Sequence, residues 1–251
     1  MTTSINFSGI SNQSFLGKLL RIPLKLIPNE LQVPILQGKL KGKKWIVGSS
    51  QHGCWLGSYE YDKQVLFEQT ITPGSVVYDL GGHVGFYSLL ASVLVGNTGK
   101  VISFEPLPKN LKYLKKHLQI NHITNTQVIE AAVCDREGIA YFEINNCSFQ
   151  GNLNSNGTLQ VRTVGLDELI TKEKLPVPDY LKIDVEGAEA KVLQGAKQVL
   201  TELHPTIFLA THGDQLQKDC CQFLKNLGYE LKSITSKSLT DSDEILAIYQ
   251  K

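Results

Sequence analysis

The stretch VVYDLGGHVGFYSLLAS, Val76 to Ser92, decides how this chain is read. An apolar run reaches an aspartate, Asp79, meets glycines at 81, 82 and 85, and passes into a helix-like pattern from Val84 to Val95. Glycines in such a place let a helix start tightly against a strand and let backbone come close to a ligand. Strand, glycine turn and helix in succession point to an α/β unit.

The same alternation continues outward. KVISFEP reads as a second strand stopped by Pro106, and PKNLKYLKKHLQIN carries Leu107, Leu111, Leu114 and Leu118 on one helix face. TQVIEAAV reads as a third strand. Residues 138–165 break the rhythm, because GIAYFEI and LQVRTVG look like strands around a polar loop, CSFQGNLNSNG, expected to lack regular structure. DYLKIDV is a fourth strand, followed by a helix from Ala188 to about Leu200. PTIFLATH is a fifth strand, and Gln215–Leu227 another helix. GYELKSIT and EILAIYQ are two strands with no room for a helix between them, so they form a hairpin. The expected fold is α/β: a mostly parallel seven-stranded sheet, helices on both faces, and a C-terminal antiparallel hairpin. This layout resembles Rossmann-like class I methyltransferases more than dinucleotide dehydrogenases.

Residues 1–72 read as a basic N-terminal extension and 73–251 as the ligand-binding domain. In the extension, FLGKLLRI suggests a short amphipathic helix, KKWIVGS and GCWLGSYE look strand-like, and EYDKQVLFEQTI looks helical. The whole chain, 251 residues with a net charge of +1, gives no charge argument for a nucleic-acid partner. The first fifty residues nevertheless hold seven Lys/Arg (Lys18, Arg21, Lys25, Lys39, Lys41, Lys43 and Lys44) against Glu30 alone. Residues 15–27 suit peripheral contact with a membrane surface or a lipid-linked substrate, although an arm packed on the domain with solvated lysines is the plainer reading. Lys18, Arg21 and Lys25 interrupt the early apolar stretch, so no signal peptide is expected, and no run approaches the roughly 18 apolar residues of a transmembrane segment. Five cysteines without metal-type spacing read as reduced thiols of a cytoplasmic protein. Oligomeric state is not legible.

The ligand follows from charge. A diphosphate seeks the positive end of a helix, and a carboxylate two residues before the first glycine opposes it. S-adenosylmethionine brings a sulfonium and an ammonium that Asp79 favours. Glu105 ends the second strand 20 residues after Gly85, where an acid can accept hydrogen bonds from both ribose hydroxyls of an adenosine. Glu105 alone does not choose between S-adenosylmethionine and NAD, so a nicotinamide-dependent oxidoreductase is the alternative.

The blocks VVYDLGGHVGFYSLLAS, GKVISFEPLPKNLKYL, AAVCDREG and YLKIDVEGAEAKVLQGA together resemble the FkbM-type S-adenosylmethionine-dependent methyltransferases over residues 52–250. Gly82 and His83 stand where that family carries Ala-Asn. The resemblance implies a class I methyltransferase fold and O-methylation of a hydroxyl on a sugar, glycolipid or secondary metabolite. The expected cofactor-binding set is Asp79, Gly81, Gly82, His83, Gly85, Phe86, Glu105, Pro106, Ala132 and Asp184.

LKIDVEGAE forms a second constellation. Strand alternation puts Lys182 and Asp184 on one side, with Glu186 beyond the carboxyl end, where ligands of open α/β sheets bind. Lys182 can serve as the ion-pair partner of Asp184 or in catalysis, and Glu189 suits the dipole of the next helix. His212 leaves the fifth strand at the same rim, where a neutral imidazole could take a proton from a substrate hydroxyl. The expected catalytic set is His212, Asp184, Glu186 and Lys182. Asp184, Glu186 and His212 are also a low-ranked candidate set for a divalent metal, and no metal is the preferred expectation. His52, His117, His122 and His204 read as surface or turn positions. The acceptor is expected to be a small molecule or carbohydrate, with residues 145–158 and the N-terminal seventy shaping its pocket.

Overall fold

A computed structural model describes residues 6–7, 15, 23–144, 151–153 and 159–250. Its strands in chain order are β1 (Gln32–Pro34), β2 (Lys44–Ile46), β3 (Val76–Leu80), β4 (Lys100–Phe104), β5 (Thr126–Ile129), β6 (Ala132–Val133) and β7 (Gly138–Ile144), followed by β8 (Gly151–Leu153), β9 (Leu159–Val164), β10 (Tyr180–Ile183), β11 (Thr206–Ala210), β12 (Tyr229–Ser233) and β13 (Glu244–Tyr249). The helices are α1 (His52–Leu56), α2 (Tyr61–Thr70), α3 (Phe86–Val95), α4 (Pro108–Ile120), α5 (Leu166–Glu173), α6 (Glu189–Gly195), α7 (Lys197–Glu202) and α8 (Asp214–Asn226).

Seven strands form the central sheet in the order β12-β13-β11-β10-β3-β4-β5. β11, β10, β3, β4 and β5 pair in parallel, and β13 runs antiparallel to both β11 and β12. The expected sheet and hairpin are therefore present. Side-chain alternation assigns the two faces. Tyr78, Leu80, Leu181, Ile183, Ile207 and Leu209 pack with α5 to α8 in one core. Val77, Val101, Phe208 and Leu246 face the other side, where α3 and residues 35–71 cover them in a second core. Trp45, Phe67 and Phe86 belong to that second core, so the segment before the sheet is buried against the parallel strands rather than set apart from them.

Five local expectations are corrected. TQVIEAAV is two strands, since Ala131 N–H turns back to Ile129 O and β6 joins a separate four-stranded sheet, β6-β9-β7-β8. The polar loop after β7 contains β8, paired antiparallel with β7, while residues 145–150 and 154–158 lie outside the described residues. GCWLGSYE is helix α1 rather than a strand, closed by Gly57 at φ 75° donating to Cys54 and Gly53 carbonyls. The helix expected from Ala188 to Leu200 breaks into α6 and α7 at Gly195, where a Cβ would lie 2.2 Å from Cys134 O, so tight packing bends the chain there. Helix α3 also begins later than Val84, at Phe86, because Gly85 adopts φ 95° as its cap.

Of the 15–27 segment, Phe15 and residues 23–27 are described, with Phe15 and Leu26 exposed; FLGKLLRI otherwise lies outside the described residues. Among the described residues, no helix is long and apolar enough to cross a membrane, and four cysteines (Cys54, Cys134, Cys220, Cys221) are free and buried.

Candidate active site

The carboxyl ends of β3, β4 and β10 open into a cavity of about 520 Å³, within the range of roughly 300–1,000 Å³ typical of small-molecule sites. Of the residues singled out in the sequence, Gly81, Gly82, His83, Phe86, Glu105, Pro106, Ala132, Lys182, Asp184 and Glu186 line it. Ser50, Gln51 and Tyr59 line it too, from the N-terminal seventy residues expected to shape a pocket, as do Asn110 and Phe142, which the sequence did not single out.

The glycine turn is set by sterics. Gly81 has φ 81°, and a Cβ on it would lie 1.9 Å from Asp184 O. Both Gly81 and Gly82 amides donate to Phe104 O, at 3.0 and 2.8 Å, which folds the turn over the end of β4. His83 follows with φ 51°, a left-handed conformation rare for a residue with a Cβ. Its amide donates to Glu105 Oε2 at 2.8 Å.

Glu105 is thus partly committed within the protein. Oε1 accepts from the Leu107 amide at 2.8 Å and from Asn110 Nδ2 at 3.2 Å. A carboxylate offers about four acceptor sites, so one is left for a ribose hydroxyl rather than the two expected. Burial pushes the Glu105 carboxyl up to about 7, against the lowering effect of these donors. Leu107, Ala132, Val133 and Phe142 beside it give an apolar wall suited to a flat base. Size, wall and the remaining acceptor site on Glu105 fit an adenosine ligand.

Asp79 takes a different role from the one expected. It is 1% exposed and does not line the cavity. Asp79 and Lys182 are direct neighbours across β3 and β10, on the face covered by α3. Lys182 Nζ lies 3.1 Å from Asp79 Oδ1 and donates to Gly81 O at 2.8 Å, while Ser88 Oγ donates to Asp79 Oδ2 at 2.6 Å. A carboxylate answering a buried lysine and a hydroxyl is a structural partner for the turn. Gly85 also stands off the cavity, against Leu114 of α4, where a Cβ would meet Leu114 atoms at 3.2 Å.

Asp184 is the aspartate that faces the cavity. Its Oδ2 lies 3.8 Å from Lys182 Nζ and 3.7 Å from Lys63 Nζ of α2. Burial opposes its ionisation, yet Lys182 and Lys63 outweigh burial and hold the carboxyl below its ordinary range. Lys63 is buried, and its Nζ also pairs with Glu60 at 2.5 Å and Glu244 at 2.7 Å. Burial disfavours that ammonium, but Glu60, Asp184 and Glu244 keep it charged. Both ammoniums lie over the Tyr87 ring, Lys63 Nζ at 5.3 Å and Lys182 Nζ at 5.6 Å from its centroid. This network was missed because Lys63 and Glu244 are 181 positions apart; the signal was a lysine in the same helix face as buried Phe67.

His212 stands at the rim beside these residues but does not line the cavity. Its Nδ1 lies 2.9 Å from Glu189 Oε1, and Nε2 lies 3.2 Å from Glu186 Oε2 and 3.8 Å from Asp184 Oδ1. The hydrogen bond to Glu189, with burial opposing and the charges of Glu186, Glu189 and Asp184 assisting, raises His212 from 6.5 to about 9. The neutral imidazole expected here is therefore an imidazolium at neutral pH, unable to take a proton. Asp184, Glu186 and His212 bring ligand atoms within 4.8 Å of one another. A histidinium ion pair produces such a cluster by itself, so the proximity assigns no metal.

His117 corrects the expectation that it lies at the surface. It is fully buried, stacked on Trp45 with ring centroids 3.8 Å apart. Ile46 N–H donates to Nε2 at 3.1 Å, so Nδ1 carries the proton and donates to Val84 O at 2.8 Å. The ring ties the segment before the sheet to the glycine turn.

Comparison with known proteins agrees with this geometry. Residues 79–231 match the methyltransferase FkbM domain family. The hexuronic acid methyltransferase AglP of Haloferax volcanii is 24% identical over 176 residues, 69% of each chain. Among solved structures, the methyltransferase FkbM of Methylobacillus flagellatus superposes with a TM-score of 0.52 at 15% identity, over 80% of this chain and 56% of that one. The chain thus spans little more than half of that protein. Precorrin-6y C5,15-methyltransferase of Geobacter metallireducens gives 0.51 at 17% identity, over 76% and 89% respectively. The family match favours the methyl donor over the nicotinamide as the adenosine ligand. The chain belongs to the FkbM methyltransferase family and is an S-adenosylmethionine-dependent methyltransferase.

Proposed function

We propose that the chain methylates a hydroxyl oxygen of a sugar, with hexuronic-acid glycosides as the first acceptors to try. One observation carries the reading: a single cavity joins an adenosine-suited half, at Glu105, Leu107 and Ala132, to a half walled by Tyr59, Asp184 and Glu186. The acceptor class is drawn from the name of the Haloferax volcanii relative.

S-adenosylmethionine supplies a methyl already activated by its sulfonium, so the protein's main task is alignment. Holding two reactants in line contributes on the order of 7–11 kcal/mol, against roughly 3–5 kcal/mol for a general base of about 10²–10⁴-fold. In this reading Glu105 accepts from one ribose hydroxyl, and the backbone of Gly81, Gly82 and His83, with Phe86, Pro106 and Ala132, surrounds the cofactor. As the acceptor oxygen bonds to the methyl carbon, the carbon–sulfur pair stays on sulfur and the hydroxyl proton leaves. Asp184, kept ionised by two lysines, is a weak base and serves the cofactor's positive end. Glu186 on the same wall takes the proton. Lys182 holds the turn rather than reacting, and residues 1–72 act as the extension whose Ser50, Gln51 and Tyr59 face the cavity over the 73–251 domain.

The test is mass spectrometry of the purified protein for retained S-adenosyl nucleoside, followed by S-adenosylhomocysteine release with methyl glucuronoside and with the neutral methyl glucoside. Nucleoside binding with release on either sugar, and an O-methyl product by fragmentation, is expected. Release on neither, across a wider glycoside panel, rejects the sugar.

A further inference from the structure

Glu189 was expected to be an acid that suits the start of a helix, yet none of it reaches solvent. Its Oε1 accepts from the Gly187 amide at 3.0 Å and from the Val185 amide at 3.4 Å, and it lies 2.9 Å from His212 Nδ1. Between those two amides stands Glu186, with φ 55°. A residue with a Cβ rarely holds that conformation without support from its surroundings. The chain of contacts also closes on itself, because His212 Nε2 reaches back to Glu186 Oε2 at 3.2 Å. One buried carboxylate oxygen therefore fixes the turn on either side of Glu186 and the imidazole that meets the Glu186 side chain. An acid kept only for the helix dipole gains nothing from leaving water.

We propose that Glu189 is a positioning residue, bracing the Val185–Gly187 turn and His212 together so that Glu186 presents its carboxylate to the acceptor hydroxyl. This rests on the methyl-transfer reading above, with Glu186 as the group that touches substrate. The groups facing His212 are Glu189 from α6 and Asp184 and Glu186 from the turn. Lys182 and Lys63 stand behind Asp184, and the buried Cys220 thiol of α8 lies near Glu189. Of these, only Glu189 bonds directly to the Nδ1 side of the ring.

Glu189→Gln keeps the shape and can leave an oxygen for the three donors, all of which meet Oε1, but it removes the charge. Two measurements on the full chain decide the role. In the first, the His212 imidazole is titrated by ¹⁵N NMR, which needs no acceptor. The wild type should titrate near 9, and folded Glu189→Gln should titrate at least about one unit lower, since the missing charge no longer favours the imidazolium. In the second, kcat on methyl glucuronoside should fall by about tenfold or more in Glu189→Gln, while S-adenosylhomocysteine affinity by calorimetry stays at the wild-type value. An unmoved His212 titration, or an unchanged kcat, in a folded variant overturns the brace. Absence of transfer by the wild type rejects the sugar reading alone, and the titration still decides Glu189. If Glu189→Gln does not fold, the wild-type titration decides: a midpoint near 9 with the proton retained on Nδ1 supports the brace, and a midpoint near 6.5 overturns it.

Discussion

Acid should loosen the link between the N-terminal segment and the glycine turn through one ring, His117. The ring is fully buried, accepts the Ile46 amide on Nε2 and donates from Nδ1 to Val84 O. A second proton on Nε2 would point at the Ile46 N–H in a site closed to solvent. Burial, opposed weakly by the Val84 bond, accordingly lowers the group from 6.5 to about 4. The folded value lies below the unfolded one, so the neutral ring's contribution is complete above pH 6.5 and is lost as pH falls toward 4. A gap of 2.5 units corresponds to about 3 kcal/mol, a large share of the roughly 5–15 kcal/mol that holds a domain folded.

The perturbation is His117→Gln, a neutral side chain that can make one bond but not both. At pH 7.5 the variant should be less stable than wild type by about 1–3 kcal/mol, for the bond lost and the partner left buried. Urea unfolding at pH 7.5, 6.5, 5.5 and 4.5 then tracks the difference between the two proteins. His83 is also held down to about 4, by burial and by Lys182, and contributes acid loss of the same sign. Glu105 and Glu244, both pushed up to about 7 by burial, contribute the opposite sign, since their protonated forms are favoured in the fold. Subtracting variant from wild type removes all three. The gap between the curves should shrink by about 2–3 kcal/mol between pH 7.5 and 4.5. A gap constant across that range refutes the neutral buried ring.

Glu105→Gln should weaken S-adenosylmethionine binding by about tenfold or more, because a charge-assisted bond of roughly 1.5–3 kcal/mol becomes a neutral one; calorimetry reads this, and equal affinity removes Glu105 from the site. Wild-type affinity should rise with pH through about 7, as the carboxyl ionises and becomes the better acceptor, whereas a flat profile from pH 6 to 8 contradicts it. Asp79→Asn should destabilise the fold by about 3–5 kcal/mol in urea, since it leaves buried Lys182 without its nearest countercharge; loss of cofactor affinity with unchanged stability would restore Asp79 as a ligand. Gly81→Ala should yield no stably folded protein, with a Cβ 1.9 Å from Asp184 O, whereas Gly187→Ala has no atom within 4 Å of its Cβ and should cost only the left-handed conformation, about 1–2 kcal/mol. Similar thermal shifts for both would show that sterics at Gly81 do not set the turn.

The parallel sheet was legible because each strand is a short apolar run punctuated by glycine, proline or an acid, and the hairpin because nothing helical fits between its strands. Helix α1 was not, since five residues are too few for periodicity and the decisive feature is the Gly57 cap. Around the cavity, the strand-tip residues were legible because chain order fixes them. Their partners were not. Asp79 faces a cation as expected, but the cation is the protein's own Lys182, brought beside it by the register of β10 on β3. Register is a property of tertiary packing that one sequence does not print. His117 was misread for a related reason: its burial depends on Trp45 and Ile46, more than seventy positions earlier.

Both cavity turns obey one rule. At the tip of β3, His83 holds a left-handed backbone while its amide donates to buried Glu105. Past the tip of β10, Glu186 holds the same conformation between two amides that donate to buried Glu189. Each carboxylate stabilises backbone that an L residue would otherwise leave, and each also meets a side chain from another element, Asn110 for Glu105 and His212 for Glu189. Placing a charged acid in the interior is costly unless donors answer it. With the donors supplied by the turn itself, truncation of either acid to alanine strands those amides, whereas an amide side chain in its place keeps an oxygen for them and removes only the charge.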